Sequence, residues 1–311
     1  NMWRAGGGGL VAPRVGYSAY QRVQREQLVL SHVGNFDLGT WRNSITHSVS
    51  ENLGRSLPLS LNERIAFQAL WDQAVLDQGK SKPELTDAIR AEIEANFLPR
   101  PNRPLELTNW IYDTSFEMNF ARSKVVLGGQ YFDVSMEDGV FGFYGEDYLE
   151  GTTQDHRQVA VFAETSYDAT DDLTVTAGAR YDHHNIFGGQ WSPRVYLNYT
   201  ISPDWTVKGG VSTGYKAPKP NDLFPGITGF GRQGVIPMVG TPDLQPETSI
   251  NYEAAVYYDN ATNFTANLTV FYNEFDDKII NQDTAPNCEI ANPGQPCVDI
   301  GEGWLDLGYD Y

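Results

Sequence analysis

Apolar and polar residues alternate with a period of two through several segments of this chain. In LTVTAGARYD, residues 173–182, every second residue from Leu173 is apolar, small or aromatic, and the residues between them are polar or glycine. Side chains that alternate in this way lie on opposite faces of a β-strand. The chain contains about eleven such segments, mostly of the ~10-residue length expected of tilted strands that cross a membrane.

The connections between these predicted strands alternate between short and long. Short polar turns are predicted at 121–123, 169–172, 202–204 and 260–263. Long connections are predicted at 53–105, 135–156, 183–190, 216–247 and 276–302. Outer-membrane barrels have short periplasmic turns and long extracellular loops. We therefore predict an all-β fold, a transmembrane antiparallel β-barrel; a soluble up-and-down barrel is the alternative.

Aromatic residues lie next to the predicted short turns, as in the girdle of a membrane barrel. Examples are Phe120, Tyr167 and Trp205. One long connection is predicted to contain two helices, 61–78 and 84–97, separated by Gly79, with Ser81 as the N-cap of the second. The loop after Tyr215 is rich in proline, which predicts a stiff segment without regular structure.

The charge of the chain limits its partners. Its formal net charge is −18, which argues against binding to nucleic acid, because phosphate backbones require clustered lysine and arginine. Cys288 and Cys297 lie nine positions apart in a segment rich in Pro, Gly and Asn, and we predict a disulfide in an extracellular loop. Two free thiols are the alternative, and no metal site is evident around them.

Three other motifs give weaker evidence of function. Residues 210–214 match the G-x-S-x-G pattern of hydrolases, but Ser212 falls inside a predicted strand and no helix follows it. His183 and His184 are adjacent, so a strand places them on opposite faces, and we interpret them as polar rim residues. The acidic run at 135–155 is interpreted as a solvated loop, with calcium binding as the alternative.

Two longer stretches resemble a known family. These are GARYDHHNIFGGQWSPRVYLNYTISPDWTVKGGVSTGYKAP and GTPDLQPETSINYEAAVYY. They are similar to the barrel of TonB-dependent outer-membrane receptors, and within that family to ferric enterobactin receptors and the colicin I receptor. The resemblance implies a 22-stranded barrel with an N-terminal plug domain and a motif that binds TonB.

This chain contains no recognisable plug or TonB motif, and eleven strands do not close a bacterial barrel of even strand number. We therefore expect residues 1–311 to supply about half of the strands, with the plug and C-terminal strands outside the chain. The segment 303–311 is predicted to be a further mid-barrel strand. The resemblance implies location in the Gram-negative outer membrane, contact with lipid and lipopolysaccharide, and use of the loops by colicins or phages.

The resemblance also implies a cargo, a ferric siderophore of the catecholate class, and no resident cofactor. Such complexes are anionic and aromatic, so a receptor needs basic residues and aromatic faces. The predicted ligand-binding residues in the outer loops are Arg100, Arg103, Tyr215, Lys216, Phe230 and Arg232. Ordinary loop charges paired with nearby carboxylates are the alternative for each base.

Three other functions stay open from the sequence. The same fold could carry haem, cobalamin or another siderophore. A passive porin would lack the plug domain, and an outer-membrane enzyme would need a catalytic set that we cannot assemble from these residues. The sequence therefore favours a transport receptor that is not an enzyme.

Overall fold

Antiparallel strands make up most of the chain, shown here by a computed structural model that describes residues 17–81, 84, 86–141, 151–231 and 236–280. The first eight strands are β1 Tyr17–Phe36, β2 Gly39–Arg55, β3 Leu105–Asn119, β4 Ser123–Asp138, β5 Thr153–Asp168, β6 Leu173–His184, β7 Gly188–Ser202 and β8 Trp205–Lys216. The others are β9 Ile227–Gly231, β10 Ile236–Val239, β11 Glu247–Asp259 and β12 Thr265–Asp276.

Ten of these strands form one continuous sheet. Its order is β1 to β8 followed by β11 and β12, so each strand pairs with the next one along the chain except where β9 and β10 intervene. Neighbouring strands are antiparallel throughout, as in the register Val195↔Val211 between β7 and β8. The predicted antiparallel β architecture is confirmed, and the strands follow an up-and-down order.

The two faces of the sheet differ in polarity as the period-two pattern predicts. One face carries apolar side chains that are exposed, such as Val161, Leu197 and Leu268. The other face carries hydrogen-bonded polar side chains, such as Gln130 and Arg180. An apolar face exposed in this way is the lipid-facing surface of a membrane barrel, and the polar face is the surface that lines its lumen.

The short turns lie at one end of the sheet. They connect β1 to β2, β3 to β4, β5 to β6, β7 to β8 and β11 to β12. Exposed aromatic side chains lie beside them, and Trp205 packs against Tyr258 with ring centroids 4.7 Å apart. The predicted aromatic girdle is therefore present at this end.

The long connections lie at the opposite end, which we call the loop end. They are the segments 56–104, 139–152 and 217–246. The predicted long connection at 183–190 is wrong, because β6 and β7 stay paired up to His184↔Gly188 and only residues 185–187 join them. Gly188 has a φ of +77°, a left-handed conformation that glycine adopts at no steric cost and that closes this tight hairpin.

The segment 56–104, here called the helical loop, contains two helices. Helix α1 spans Leu61–Gln78, as predicted, and ends at Gly79, whose φ of +59° forms a left-handed cap. Helix α2 spans Asp87–Phe97, three residues shorter at its start than the prediction. Its N-cap is Thr86 rather than Ser81, because the Thr86 hydroxyl accepts a hydrogen bond from the amide of Ile89. Among the described residues, no helix is long and apolar enough to cross a membrane.

The segment 217–246, here called the hairpin loop, contains more regular structure than its prolines predict. A 3₁₀ turn spans Pro220–Leu223, and β9 and β10 pair as a separate antiparallel hairpin. Pro220 sits at the start of the 3₁₀ turn, where a missing amide proton costs nothing. The prediction of an irregular loop was therefore wrong.

Candidate functional site

The helical loop has its own small hydrophobic core. Its fully buried members are Leu59, Phe67, Trp71, Ile93 and Phe97. Phe67 stacks on Trp71 and meets Phe97 edge-on, with ring centroids 6.2 and 5.6 Å away. These contacts join α1, α2 and the chain that enters α1. The loop is therefore a packed structure with a fixed position, which makes it suitable to support a binding surface.

Arg100 fixes the start of α1 to the chain that leaves α2. Its guanidinium donates two hydrogen bonds to the Glu63 carboxylate, at 2.5 and 2.9 Å, and others to the carbonyls of Leu57 and Pro58. Its side chain is only 5% exposed. Arg100, which the sequence predicts to bind ligand, is therefore paired inside the helical loop and stabilises that loop.

Arg103 is held in a similar way. Its guanidinium donates to both carboxylate oxygens of Asp138, each at 2.6 Å, and this pairing joins the helical loop to the end of β4. Asp138 is 4% exposed, and its carboxylate also accepts a hydrogen bond from the amide of Val140. Bidentate arginine–carboxylate pairs of this kind have a defined geometry and resist rearrangement.

Glu63 gives the helical loop a dependence on pH. Burial alone would raise the pKa of Glu63, but hydrogen bonds from Arg100 and from the amide of Ser60 hold it below its usual range. A carboxyl with a depressed folded pKa contributes stability above its unfolded pKa, about 4.3. That contribution is lost as the pH falls through the lower folded pKa.

We expect Glu63→Gln to lower the protection of α1 from hydrogen exchange at pH 7. We also expect the protection of α1 to depend less on pH in the acid range. Glutamine keeps the capping hydrogen bond to the amide of Ser60 but cannot form the ion pair with Arg100. In the unmodified protein, protection should stay constant down to about pH 5 and then fall below about 4.3. An identical acid profile for the two proteins would contradict this assignment.

The hairpin loop packs against β5 and against the chain that follows β4. The side chains of Leu223, Phe224 and Ile227 are buried, and the ring of Phe224 stacks on Phe141 at 4.3 Å. The 3₁₀ turn lies against β5. A Cβ at Gly240 would lie 2.3 Å from the carbonyl oxygen of Phe224, so only glycine allows this close approach of backbone.

Arg64 connects the two loops. Its guanidinium lies 4.7 Å from the centre of the Phe230 ring, and its Nε donates to the carbonyl of Leu59. Phe230 is a predicted ligand-stacking residue, and here its ring already has a cation–π contact. The sequence contains no signal for Arg64, because a basic residue in the first turn of a predicted helix resembles an ordinary solvated helix residue.

Lys216 and Tyr215 lie where β8 enters the hairpin loop. The Lys216 ammonium donates to the Glu247 carboxylate at 3.0 Å, yet its side chain remains 65% exposed. Tyr215 is partly buried, and its ring meets Phe187 edge-on at 6.4 Å. Of the predicted bases that the structure describes, Lys216 is the most accessible to a ligand.

A chain of hydrogen bonds crosses the polar face below the loops. The buried carboxylate of Asp182 accepts from Arg180 and from Gln158, and the Arg180 guanidinium also donates to the amide oxygen of Gln130. Gln130 in turn donates to the carboxylate of Asp113 at 2.6 Å. These residues come from β3, β4, β5 and β6. The network fixes the floor of the loop end, and its one guanidinium compensates the buried carboxylate of Asp182.

The structure brings some predicted residues together and separates others. Arg100, Arg103, Tyr215, Lys216 and Phe230 all belong to the loop end. Arg232, Cys288, Cys297 and the predicted strand at 303–311 lie outside the described residues. Ser212 lies inside β8, where its hydroxyl accepts a hydrogen bond from Tyr196. His183 is exposed, but His184 is buried, so the interpretation of both as rim residues is wrong for His184.

Comparison with known proteins places the chain in a family. Residues 3–302 match the family model described as TonB dependent receptor-like, beta-barrel. The iron-regulated outer membrane virulence protein of Vibrio cholerae is 40% identical over 141 residues, 44% of this chain and 21% of the relative. The ferric enterobactin receptor PirA of Pseudomonas aeruginosa is 29% identical over 278 residues, 83% of this chain and 34% of the relative.

Solved structures show the same fold. A crystal structure of a variant ferric enterobactin receptor from Pseudomonas aeruginosa has a TM-score of 0.62 and 20% identity, covering 82% of this chain and 35% of the other. The siderophore receptor PirA from the same species has a TM-score of 0.61 and 19% identity, covering 82% and 40%. The chain thus matches well under half of each of these proteins. It belongs to the TonB-dependent receptor β-barrel family, as part of a barrel in the Gram-negative outer membrane.

Proposed function

We propose that the complete protein is an outer-membrane receptor that imports a ferric siderophore of the catecholate class, energised through TonB. The observation that carries this proposal is the similarity over 83% of the chain to a protein named as a ferric enterobactin receptor. Membership of a family of transport receptors supports the transport role. On this proposal the protein performs no chemistry on its cargo and needs no resident cofactor.

The charge of the chain sets a physical condition on this function. A ferric catecholate complex is an anion, whereas the chain carries a net charge of −18. Charge interactions at the surface are screened beyond about 8 Å at physiological salt. Capture of the anion therefore depends on individual basic residues at the loop end and not on the overall charge.

The candidate ligand contacts fall into two groups. Lys216, Tyr215, Phe230 and Arg232 are proposed to touch the cargo, through charge or through an aromatic face. Arg100 and Arg103 would have to leave buried ion pairs to do so. We therefore propose that these two arginines act on binding mainly by holding the helical loop in position.

We expect Lys216→Gln to weaken binding of ferric enterobactin by the full-length receptor. A direct charged hydrogen bond contributes about 1.5–3 kcal/mol, so the dissociation constant should rise roughly tenfold to hundredfold. If Lys216 only steers the anion, the loss should be smaller and should shrink at high salt. Arg232→Gln tests the second base by the same titration.

The matched control is Lys124→Gln. Lys124 is also a half-exposed lysine paired with a glutamate, but it lies beside a short turn at the opposite end of the sheet. Lys124→Gln should leave the affinity for ferric enterobactin unchanged. Binding equal to the unmodified protein in both Lys216→Gln and Arg232→Gln, at low and high salt, would remove them from the ligand site. Preferential binding of haem or cobalamin by the unmodified receptor would overturn the proposed cargo.

Other partners follow from the same proposal. Contact with TonB would be made by a part of the protein outside this chain. The exposed apolar face would contact outer-membrane lipid, and the loop end would face lipopolysaccharide and any colicin or phage that uses the receptor.

A further inference from the structure

Two histidines are buried beneath the loop end, on adjacent strands. His156 of β5 is 5% exposed and His184 of β6 is 3% exposed. Their rings meet edge-on with centroids 5.0 Å apart. Histidine is the side chain whose ordinary pKa of about 6.5 lies nearest to neutral pH, so a buried pair carries a potential response to acid.

The hydrogen bonds around His184 require it to be neutral. Its Nδ1 accepts a hydrogen bond from the backbone amide of Ile186 at 3.1 Å. The single proton of the neutral ring is therefore on Nε2. A second proton would go to Nδ1, where it would face the Ile186 amide donor and break this contact. The same arrangement argues against a metal ion bound to His184, because neither nitrogen has a free lone pair.

His156 is also suited to the neutral state. Its Nε2 is buried and has no hydrogen-bond partner among the described residues. Protonation would place a charge in this buried position, 5.0 Å from the ring of His184, and a buried charge without a partner is costly.

Four carboxylates on the surrounding elements are already engaged by other groups. They are Asp155 with Ser135, Asp182 with Arg180 and Gln158, Asp138 with Arg103, and Asp222 with the amide of Lys219. Other charged or titratable groups on these elements include His183, Arg157, Glu137, Tyr215 and Lys216. None of the four engaged carboxylates can become the counter-ion of a protonated histidine pair without breaking an existing contact.

Two neighbouring elements lie between the histidine pair and the hairpin loop. The His184 ring stacks on Phe187 at 4.0 Å, and Phe187 packs against Tyr215, the penultimate residue of β8 before the loop. On the other side, the 3₁₀ turn of the loop lies against β5, the strand that carries His156. A displacement of the two rings would therefore disturb the strand ends, in β5 and β8, on which the hairpin loop rests.

We propose that His156 and His184 form an acid-sensitive attachment site for the hairpin loop. When both histidines are neutral, the loop stays packed against the sheet, and when they are protonated, the loop is released. The loop is therefore closed at neutral pH and opens as the medium becomes acidic. This inference does not depend on the identity of the cargo.

The test is hydrogen exchange of the full-length receptor without cargo, measured at pH 7.5 and 5.5 and corrected for the intrinsic pH dependence of exchange. Peptides covering the described part of the hairpin loop, 217–231, should lose up to about hundredfold protection, about tenfold for each histidine that takes up a proton on release, since pH 5.5 is about one unit below the ordinary histidine pKa. Peptides from β11 should not change. Constant protection of the loop in the unmodified protein would overturn the proposal.

Substitutions assign the effect to the pair. His184→Asn can accept the Ile186 amide without taking up a proton, and His156→Phe removes the unpartnered nitrogen. The double variant should keep its protection at pH 5.5, whereas His183→Gln, the exposed neighbour, should respond to acid like the unmodified protein. If the hairpin loop of the double variant is already unprotected at pH 7.5, the single variant His184→Asn is measured in its place. In that variant the loop must keep its protection at pH 7.5 and lose most of the decrease at pH 5.5. A full response in the variant that folds would contradict the proposal.

Discussion

Replacing Arg103 by glutamine is expected to destabilise the helical loop by about 3–5 kcal/mol, because it leaves a buried carboxylate without its counter-charge. Asp138 is 4% exposed, and its carboxylate accepts hydrogen bonds from two nitrogens of the Arg103 guanidinium. The loss should be visible as faster hydrogen exchange in α1 and as proteolytic cleavage within 56–104. Ligand binding should weaken as a consequence of the displaced loop.

Two further variants separate this effect from a general loss of charge. The double change Arg103→Gln with Asp138→Asn should recover part of the loss, since no unpaired charge then remains buried. Arg122→Gln breaks an arginine–aspartate pair whose side chains are 51% and 98% exposed, and it should have no measurable effect. Equal protection in Arg103→Gln and Arg122→Gln would show that the buried pair does not hold the loop.

Truncating Trp71 to alanine is expected to cost about 3–5 kcal/mol, a loss similar in size to that of the buried ion pair. The indole is 6% exposed and stacks on Phe67 in the centre of the helical loop. A core of this size has few other side chains to fill the cavity. We therefore expect local unfolding of 61–97, measured by hydrogen exchange, while the strands of the sheet keep their protection.

The matched control lies on the same helix. Leu76 is 74% exposed, so Leu76→Ala removes an apolar side chain without leaving a cavity. It should change the stability of the loop by no more than a few tenths of a kcal/mol. If both substitutions unfolded α1 equally, the burial of Trp71 in the core of the helical loop would not be the source of its stability.

The sheet could be predicted from the sequence because its signal is local. The apolar and polar faces of β6 and β8 follow from alternation along a single strand, which any reader of the sequence can see. The connection at 185–187 could not be predicted in the same way. Its length depends on pairing that continues to His184↔Gly188, and the sequence HHNIFGG, with three polar residues and two glycines, is equally typical of a longer loop.

The candidate site could be predicted only in part, because its partners are distant in the sequence. Arg100 and Arg103 were singled out as the few bases in acidic surroundings. Their ion pairs join residues 37 and 35 positions apart, and no local pattern shows such pairs. The contact between Arg64 and Phe230 and the burial of His184 depend in the same way on how the two loops fold over the sheet.

The length of the strands has a consequence for where capture takes place. Strands β4 and β5 each have 16 residues, whereas about 9–11 tilted residues cross the hydrocarbon layer. At about 3.3 Å per residue and a tilt near 45°, the surplus raises the loop end of these two strands roughly 10–15 Å above the hydrocarbon layer. The headgroup region takes up about 5–7 Å of that height, so the loops lie within about one screening length, ~8 Å, of the charged headgroups. Binding of an anion at the loop end should therefore depend on the lipid composition of the membrane as well as on the protein, most strongly at low salt.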